Sequence, residues 1–152
     1  MFRRARSIAM FVPFDGEPDL APLYESRAAR GKEFFVPVIT RKTMRFAPWS
    51  LRAELAPNFF GILEPQDLRT IDARRLDLVL TPLVGFDSHG TRLGVGRGYY
   101  DRCFRFLGNR RLWRRPKLLG VAYELQQVPE LEVQPWDVPL WGAVTERCVR
   151  RF

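Results

Sequence analysis

A glycine-rich loop carries the residues of this chain that are best suited to chemistry on an anion. Gly94, Gly96 and Gly98 alternate along it, and two tyrosines and Asp101 follow directly. Glycine adopts backbone conformations that other residues avoid, so successive N–H groups can turn toward one anion at close range. This pattern predicts a phosphate-binding loop.

The spacing of the glycines distinguishes this loop from two common nucleotide-binding motifs. A P-loop has the pattern G-x-x-x-x-G-K-[ST] and a dinucleotide-binding turn has G-x-G-x-x-G, whereas this loop has G-x-G-x-G. Many glycine clusters are only tight turns, and spacing alone leaves that alternative open. Arg92, Arg97 and Arg102 place positive charges around the loop, which favours the phosphate-binding interpretation.

The elements that must position the loop are typical of an α/β fold. An apolar run over 76–83 predicts a buried central strand, and helical spacing predicts a helix from Tyr99 to about Leu107. Residues 7–14 and 34–39 predict two earlier strands with a helix between them, over 20–31. We therefore predict a single-domain, open, mainly parallel sheet with helices on both faces.

The remaining segments give weaker patterns. We expect an irregular stretch over 44–56, a long surface loop over 57–65, a weak helix over 66–75, and late strands over 117–123 and 138–145. Ligands of open α/β sheets bind at the carboxyl ends of the strands. The glycine-rich loop, just past the 76–83 strand, lies where a ligand site is expected.

Composition excludes several classes of protein. The 152 residues make one domain large enough to fold without disulfides, and no run of apolar residues is long enough to cross a membrane. Cys103 and Cys148 are isolated, so we expect free thiols without a catalytic role and a cytoplasmic location.

The net charge of +8 has two interpretations that the sequence leaves open. Only three of the 25 basic residues are lysines, a bias that a GC-rich genome produces without any selection for binding. The other interpretation is a polyanionic partner bound through a cluster formed by Arg110, Arg111, Arg114 and Arg115. No nucleic-acid-binding motif accompanies this cluster, so we do not expect a nucleic-acid partner.

Several segments together resemble the signature of the 5-formyltetrahydrofolate cyclo-ligase family, whose members are also called methenyltetrahydrofolate synthetases. The matching segments are FVPFDGEPD (11–19), GILEP (61–65), GFD (85–87), RLGVGRGYYD (92–101), VAYELQ (121–126), WDVP (136–139) and VTE (144–146). They cover nearly the whole chain in the order that the family has.

The resemblance implies an ATP-dependent ring closure. The formyl oxygen of 5-formyltetrahydrofolate is phosphorylated, N10 attacks the formyl carbon, and phosphate leaves to give 5,10-methenyltetrahydrofolate and ADP. ATP is then a co-substrate, Mg²⁺ a cofactor, and folate one-carbon metabolism the context. Such a reaction needs positioning and charge neutralisation more than it needs a protein nucleophile.

The resemblance also implies roles for single residues. It implies catalytic roles for Arg92, Arg97 and Tyr99, and magnesium binding by Asp101 and Asp137. The ATP-binding residues that it implies are Arg92, Leu93, Gly94, Val95, Gly96, Arg97, Gly98, Tyr99 and Tyr100. The folate-binding residues are Val12, Glu17, Gly96, Arg97, Gly98, Tyr99 and Tyr100. Without the resemblance, the sequence favours a functional carboxylate at Asp101 over an ordinary helix-end residue, whereas Asp137 and Glu17 are better explained as ordinary turn carboxylates.

Aromatic residues provide candidate walls for a flat ring system. Phe14, Phe46, Trp49 and Tyr99 can serve in this way, and the hydrophobic core is the competing explanation for Phe46 and Trp49. Gln126 matches a recurring family glutamine to which we assign no role, and we assign none to His89.

The sequence departs from the family pattern at its amino end. Family members usually begin with a helical segment whose Lys and Arg contribute to ATP binding, whereas the first strand is predicted here from Ser7. We therefore expect that segment to be absent, and Arg3, Arg4 and Arg6 do not replace it. Two alternatives follow: the chain is a version of the family shortened at the amino end, or a partner or dimer contact covers the apolar surface that the missing segment would cover. Besides the enzyme, a catalytically impaired folate- or nucleotide-binding module and an RNA-binding protein on the same scaffold stay open.

Overall fold

Eleven short strands and two α-helices make up the part of the chain that the computed structural model describes, residues 1–40, 43–66, 69–109 and 113–152. The strands are β1 (Ser7–Ala9), β2 (Glu33–Ile39), β3 (Met44–Pro48), β4 (Leu55–Pro57), β5 (Leu63–Pro65), β6 (Leu78–Thr81), β7 (Gly85–Phe86), β8 (Arg92–Leu93), β9 (Lys117–Val121), β10 (Gly142–Val144) and β11 (Val149–Arg151). The helices are α1 (Ala21–Glu25) and α2 (Tyr99–Phe104), and 3₁₀ turns span Phe2–Arg4, Arg27–Ala29, Ala73–Arg75, Arg105–Gly108 and Glu124–Gln126.

A seven-stranded sheet forms the centre of the molecule, in the order β11-β10-β9-β6-β1-β2-β3. β1 pairs in parallel with both β2 and β6, and β9 pairs in parallel with β6 and β10. The two edge strands, β3 and β11, are antiparallel to their neighbours. The predicted α/β fold with a mainly parallel sheet is confirmed.

Apolar side chains cover both faces of this sheet. Val79 of β6 belongs to one core cluster together with Phe104 of α2, while Leu78 and Leu80 face a second cluster that includes Leu23 of α1. A strand buried on both faces is apolar at most positions, which explains the near-continuous hydrophobic run that predicted β6; Thr81 at its end is the one polar residue of the strand. Both α-helices are short, and no helix within the described ranges has the length and apolar character needed to cross a membrane.

Several predicted boundaries were wrong. The strand predicted over 7–14 ends at Ala9, and the helix predicted over 20–31 is an α-helix only over Ala21–Glu25. The stretch over 44–56 contains β3, whose Phe46 is fully buried, and the predicted surface loop over 57–65 contains half of the antiparallel β4–β5 hairpin. Prolines at the ends of these edge strands argued against a strand in the sequence, because proline cannot donate a hydrogen bond to a neighbouring strand. Positions 67–68 of the weak helix predicted over 66–75 lie outside the described residues.

Gly142 provides a test of the sheet edge. A Cβ at this position would overlap the carbonyl oxygen of Arg150 on the neighbouring strand β11. We therefore expect Gly142→Ala to lower the free energy of unfolding by about 1–3 kcal/mol in urea denaturation, because overpacking forces the backbone to shift. Gly108→Ala is the matched control, since a Cβ there meets no atom within 4 Å. Equal stability of the two variants would contradict the β10–β11 pairing.

Candidate active site

A cavity of about 350 Å³ opens at the edge of the sheet where β1, β2 and β6 end. Because these three strands are parallel neighbours, the segments that follow them meet at this edge. The β4–β5 hairpin and the glycine-rich loop complete the walls. The lining residues are Phe11, Val12, Phe14, Glu17, Pro37, Ile39, Met44, Phe60, Ile62, Leu63, Glu64, Pro82, Val95, Arg97, Tyr99 and Tyr100.

Glu17 brings a carboxylate into this mainly apolar cavity. Its Oε2 accepts the N–H of Phe14 at 3.1 Å, within the turn that follows β1. Burial raises the pKa of Glu17, the hydrogen bond from Phe14 opposes that shift, and the charge of Asp15 adds to it. A carboxylate that has lost water in this way gains from any ligand that donates N–H groups to it.

Aromatic rings form the cavity wall on the side of the glycine-rich loop. The rings of Phe60 and Tyr99 meet edge to face with centroids 6.2 Å apart, and the guanidinium of Arg97 lies 4.0 Å from the centroid of Phe60. Phe14 also lines the cavity and is half exposed. These surfaces suit a flat, partly aromatic ligand that carries negative charge at the Arg97 end.

The β4–β5 hairpin is held over the cavity by a buried polar contact that the sequence analysis missed. Oε1 of Glu64 accepts the N–H of Ile39 and Nδ2 of Asn58, each at 2.7 Å. Oδ1 of Asn58 in turn accepts the N–H groups of Phe60 and Ile62. These bonds tie the hairpin to the end of β2 and place Phe60 and Ile62 in the cavity wall. The Glu-Pro and Asn-x-x-Gly patterns in the sequence were the signals that could have predicted this hairpin contact.

The glycine-rich loop is open to solvent and to a ligand. Gly96 and Gly98 have φ values of +82° and +62°, which favour glycine, and α2 begins directly after Gly98. Among the residues that the structure describes, none accepts a hydrogen bond from an N–H of residues 94–98. Leu93 and Val95 are exposed between the glycines. The loop therefore offers free N–H donors, as an anion-binding loop must.

A buried carboxylate anchors the turn that leads into the loop. Asp87 is 1% exposed and accepts N–H groups from His89, Thr91 and Leu131. Burial by itself would raise the pKa of Asp87, but these backbone donors outweigh it and the pKa lies below its usual range. Asp87 therefore fixes the path of the chain into β8 and the loop.

Two titratable side chains of α2 remain protonated at neutral pH. Burial raises the pKa of Tyr100, and the negative charge of Glu17 raises it further, so the hydroxyl stays a hydrogen-bond donor. Burial raises the pKa of the Cys103 thiol to about 11. Cys103 and Cys148 are both free thiols, and the Cys103 thiol is too basic to act as a nucleophile at neutral pH.

Asp101 and Asp137, which lie far apart in sequence, are brought together beside the loop. Oδ1 of Asp101 accepts the N–H of Val138 at 3.1 Å, so the peptide that joins Asp137 to Val138 rests against Asp101. Oδ1 also accepts a hydrogen bond from Arg92 at 2.5 Å, and Oδ2 of Asp137 accepts the N–H of Gln134. Each carboxylate keeps a second oxygen that, within the described ranges, has no hydrogen-bond donor.

These two carboxylates fit Mg²⁺ better than a metal that needs a complete protein cage. No group of three or more His, Cys, Asp and Glu side chains within the described residues is suited to hold a metal. Mg²⁺ needs no such group, because it retains waters and binds one or two carboxylates together with phosphate oxygens. Asp101 and Asp137, beside a loop with unpartnered N–H donors, match that requirement.

The structure separates the candidate residues into three groups. Val12, Glu17, Val95, Arg97, Tyr99 and Tyr100 line the cavity, and Leu93, Gly94, Gly96 and Gly98 lie in the adjoining loop. Arg92 instead turns away from the loop toward Asp101 and Val138. Phe46 and Trp49 do not line the cavity, because both pack in the hydrophobic clusters of the sheet. Gln126 donates to the carbonyl oxygens of Leu83 and Val84 and so supports the strand end.

Comparison with known proteins identifies the family. A model of the 5-formyltetrahydrofolate cyclo-ligase family matches residues 1–146. The chain belongs to the 5-formyltetrahydrofolate cyclo-ligase family. The family is one of ligases, as the sequence resemblance implied.

The similarity to individual relatives extends along most of the chain. The 5-formyltetrahydrofolate cyclo-ligase of Escherichia coli K12 is 38% identical over 148 residues, which are 93% of this chain and 78% of that protein. The enzyme of the same name from Haemophilus influenzae is 35% identical over 146 residues, 91% of this chain and 75% of its own length. The 5,10-methenyltetrahydrofolate synthetase of Aquifex aeolicus has a TM-score of 0.79 at 33% identity, covering 99% of this chain and 73% of that one.

The lowered pKa of Asp87 provides a test of its role in stabilising the turn that leads into the glycine-rich loop. Because the pKa of Asp87 is lowered by folding, its stabilising contribution is complete at neutral pH and is lost as the pH falls through the lowered value. We expect Asp87→Asn to cost about 3 kcal/mol at neutral pH, with the difference from wild type shrinking as the pH falls through the lowered pKa of Asp87. Urea denaturation across this range measures both effects.

Asp15→Asn is the control for this experiment, because Asp15 is exposed and has a φ of +50°, which asparagine tolerates. It should leave stability unchanged. A loss for Asp87→Asn that is independent of pH would contradict the role assigned to the ionised carboxylate.

Proposed function

We propose that this chain closes the ring of 5-formyltetrahydrofolate to give 5,10-methenyltetrahydrofolate, using ATP and releasing ADP and phosphate, with Mg²⁺ held by Asp101 and Asp137. The observation that carries the proposal is the continuity of the cavity with the glycine-rich loop. Val95 and Arg97 belong to both, and Tyr99 lines the cavity directly after the loop. One ligand in the cavity and another on the loop would therefore meet at these residues.

The cavity supplies what a pterin ring requires. Glu17 can accept paired hydrogen bonds from the aminopyrimidine edge, since its Oε2 receives only one backbone N–H. Val12 and Tyr99 offer apolar and aromatic surface for the ring. Tyr100, held in its protonated form, adds a hydroxyl donor. A volume of about 350 Å³ is sufficient for the ring system of a folate with its tail directed outward.

The glycine-rich loop supplies donors for the phosphates of ATP. Its N–H groups over 94–98 have no hydrogen-bond partner among the described residues, so they can donate to a transferring phosphoryl group and offset its negative charge. Arg97, at the boundary between loop and cavity, adds a full positive charge at the place where phosphate and formyl oxygen must approach.

Mg²⁺ fits the carboxylates of Asp101 and Asp137 beside this loop. When bound there, it adds positive charge to the phosphate oxygens and orients them. The chain's own contribution is to bring both carboxylates to the loop through the hydrogen bond from Val138 to Asp101.

The chemistry then depends on orientation. The loop and Arg97 hold the terminal phosphoryl group against the formyl oxygen, which takes that group as its bond to ADP breaks. The cavity walls bring N10 close to the formyl carbon. N10 attacks that carbon and gives its proton to solvent, and the C–O bond to phosphate breaks. No residue need form a covalent bond, in agreement with the protonated state of Cys103. The unpaired thiols also support a reducing, cytoplasmic location.

The direct test is the near-ultraviolet absorbance of 5,10-methenyltetrahydrofolate, formed from 5-formyltetrahydrofolate by the purified chain. We expect product only when ATP and Mg²⁺ are both present. Asp101→Ala should reduce kcat/KM by at least about 100-fold, because it removes a magnesium ligand and the contact to Val138. Asp19→Ala, on the exposed turn before α1, should leave the rate unchanged. Product formation without ATP, or full activity of Asp101→Ala, would refute the assignment.

Glu17 gives a second test, through the pH dependence of folate binding. Because burial raises the pKa of Glu17, and donors on the pterin favour the ionised carboxylate, binding should release a proton near that pKa. We expect affinity for 5-formyltetrahydrofolate, measured calorimetrically without nucleotide, to weaken as the pH falls through the raised pKa of Glu17.

The matched variant Glu17→Gln should bind about 10-fold or more weakly at neutral pH and lose this part of the pH dependence. Titration of the ligand itself is common to both proteins and cancels in the comparison. An unchanged pH profile in Glu17→Gln would exclude Glu17 as the pterin acceptor.

A further inference from the structure

The amino ends of four neighbouring parallel strands form a surface that the proposed reaction does not use. β1, β6, β9 and β10 lie side by side in parallel, so the segments that precede them meet at the edge of the sheet opposite the candidate active site. Arg3 and Arg4 precede β1, Lys117 begins β9, and Trp141 precedes β10. These side chains line a cleft of about 500 Å³.

Positive charge dominates this basic cleft. Four cationic side chains line it together with one carboxylate: Arg3, Arg4, Arg115, Lys117 and Asp77. Asp77 is already engaged, because it accepts two backbone N–H groups and pairs with Arg115 at 2.6 Å. Within the described ranges, Arg3, Arg4 and Lys117 form no ion pair. Three positive charges therefore lack a compensating acid, and a negatively charged partner would gain from binding beside them.

An apolar cleft adjoins the basic cleft, and the two share Lys117 and Trp141. It has a volume of about 410 Å³ and lies between the segment that follows α2 and the segment that leads into β10. Its apolar lining includes Leu107, Trp113, Pro116, Leu118, Pro139 and Trp141. Arg114 also lines it and is exposed. An apolar cleft continuous with a basic one fits a partner that carries both apolar side chains and carboxylates.

The tryptophans of this surface favour an acidic peptide over a nucleic acid. Nζ of Lys117 lies 4.3 Å from the ring centroid of Trp141, and the guanidinium carbon of Arg151 lies 5.2 Å from it. The guanidinium of Arg74 lies in the same way over the ring of Trp113, at 5.4 Å. Proteins that bind single-stranded nucleic acid stack bases on open aromatic faces. Cations already lie over both rings here, whereas an apolar side chain can enter the cleft between them.

We propose that the basic and apolar clefts together dock an acidic segment of another protein. Its carboxylates lie against Arg3, Arg4 and Lys117, and its apolar side chains enter the apolar cleft. The described part of the basic cluster found in the sequence, Arg114 and Arg115, belongs to this surface. Because the surface lies at the edge of the sheet opposite the cavity, the partner can bind while the candidate active site stays open.

Fluorescence anisotropy tests the docking surface with a fluorescein-labelled peptide of twelve residues, in which pairs of glutamates alternate with leucine and phenylalanine. We expect saturable binding to wild type. The double variant Arg3→Glu and Arg4→Glu should bind at least about 10-fold more weakly, because like charges then face the peptide. Gly108→Trp should weaken binding by a similar factor by filling the apolar cleft, since Gly108 lines it and a Cβ there meets no atom within 4 Å.

Two controls separate specific docking from general attraction. Arg147→Glu, in the exposed turn between β10 and β11 at the other edge of the sheet, is the matched charge reversal and should bind as wild type. A peptide with serine in place of leucine and phenylalanine should bind at least about 10-fold more weakly, because it cannot fill the apolar cleft. Thermal unfolding verifies that each variant is folded, and Gly108→Leu replaces Gly108→Trp if the latter is not.

Several outcomes would overturn the docking surface. Absence of binding to the acidic peptide would remove it, and equal affinity for the two peptides would leave only general electrostatic attraction. Tighter binding of a twelve-nucleotide oligouridylate, weakened by the same charge reversals, would make the surface a nucleic-acid site. Displacement of the peptide by 5-formyltetrahydrofolate would place the peptide in the active-site cavity. None of these measurements depends on ring closure, so a failure of the proposed function would leave the docking surface standing.

Discussion

The parallel pairing of β1 with β2 and β6 is the constraint on which the rest of the molecule depends. Parallel strands end at the same edge of a sheet, so the segments that follow these three strands must converge there. The turn carrying Glu17 follows β1, and the chain that leads through Asp87 to the glycine-rich loop follows β6. The cavity and the loop are neighbours because the segments that form them follow parallel strands that end at the same edge.

Long-range hydrogen bonds convert this convergence into a defined geometry. Asp87 binds the N–H of Leu131, Glu64 binds the N–H of Ile39, and Arg92 binds the carbonyl oxygen of Val138. Each contact joins a segment at the site to a distant part of the chain. The buried polar groups around the cavity therefore hold its walls in place, while the ligand-facing groups of the loop stay open.

The parts of the fold that the sequence predicted are those with a strong local pattern. β6 was recognisable because burial on both faces makes most of its residues apolar. The segment around Glu17 and the loop were recognisable from their resemblance to a family. β3 and the β4–β5 hairpin were missed, since short edge strands ending in proline have no clear alternation. The apolar character of Phe46 and Trp49 was evident, but which apolar surface they face depends on packing. The inward turn of Arg92 depends on a contact 46 residues away, which no local spacing reveals.

Some arginines of this basic chain form ion pairs or cation–π contacts within the protein. Arg92, Arg115 and Arg150 form ion pairs with Asp101, Asp77 and Glu124, respectively. The guanidinium of Arg74 lies over the ring of Phe106. Arg114 and Arg115 of the basic cluster are described, whereas positions 110–111 lie outside the described residues. These contacts give four of the 22 arginines a structural role that requires no polyanionic partner.

In the proposed reaction a phosphoryl group on the loop reaches the formyl oxygen of a folate in the adjoining cavity. That oxygen can be followed with ¹⁸O in the formyl group of 5-formyltetrahydrofolate during turnover by the wild-type chain with Mg-ATP. We expect one labelled oxygen in each released phosphate, because the C–O bond breaks only after that oxygen has been phosphorylated. Methenyltetrahydrofolate accompanied by unlabelled phosphate would contradict it, since the nucleotide would then be hydrolysed without meeting the folate.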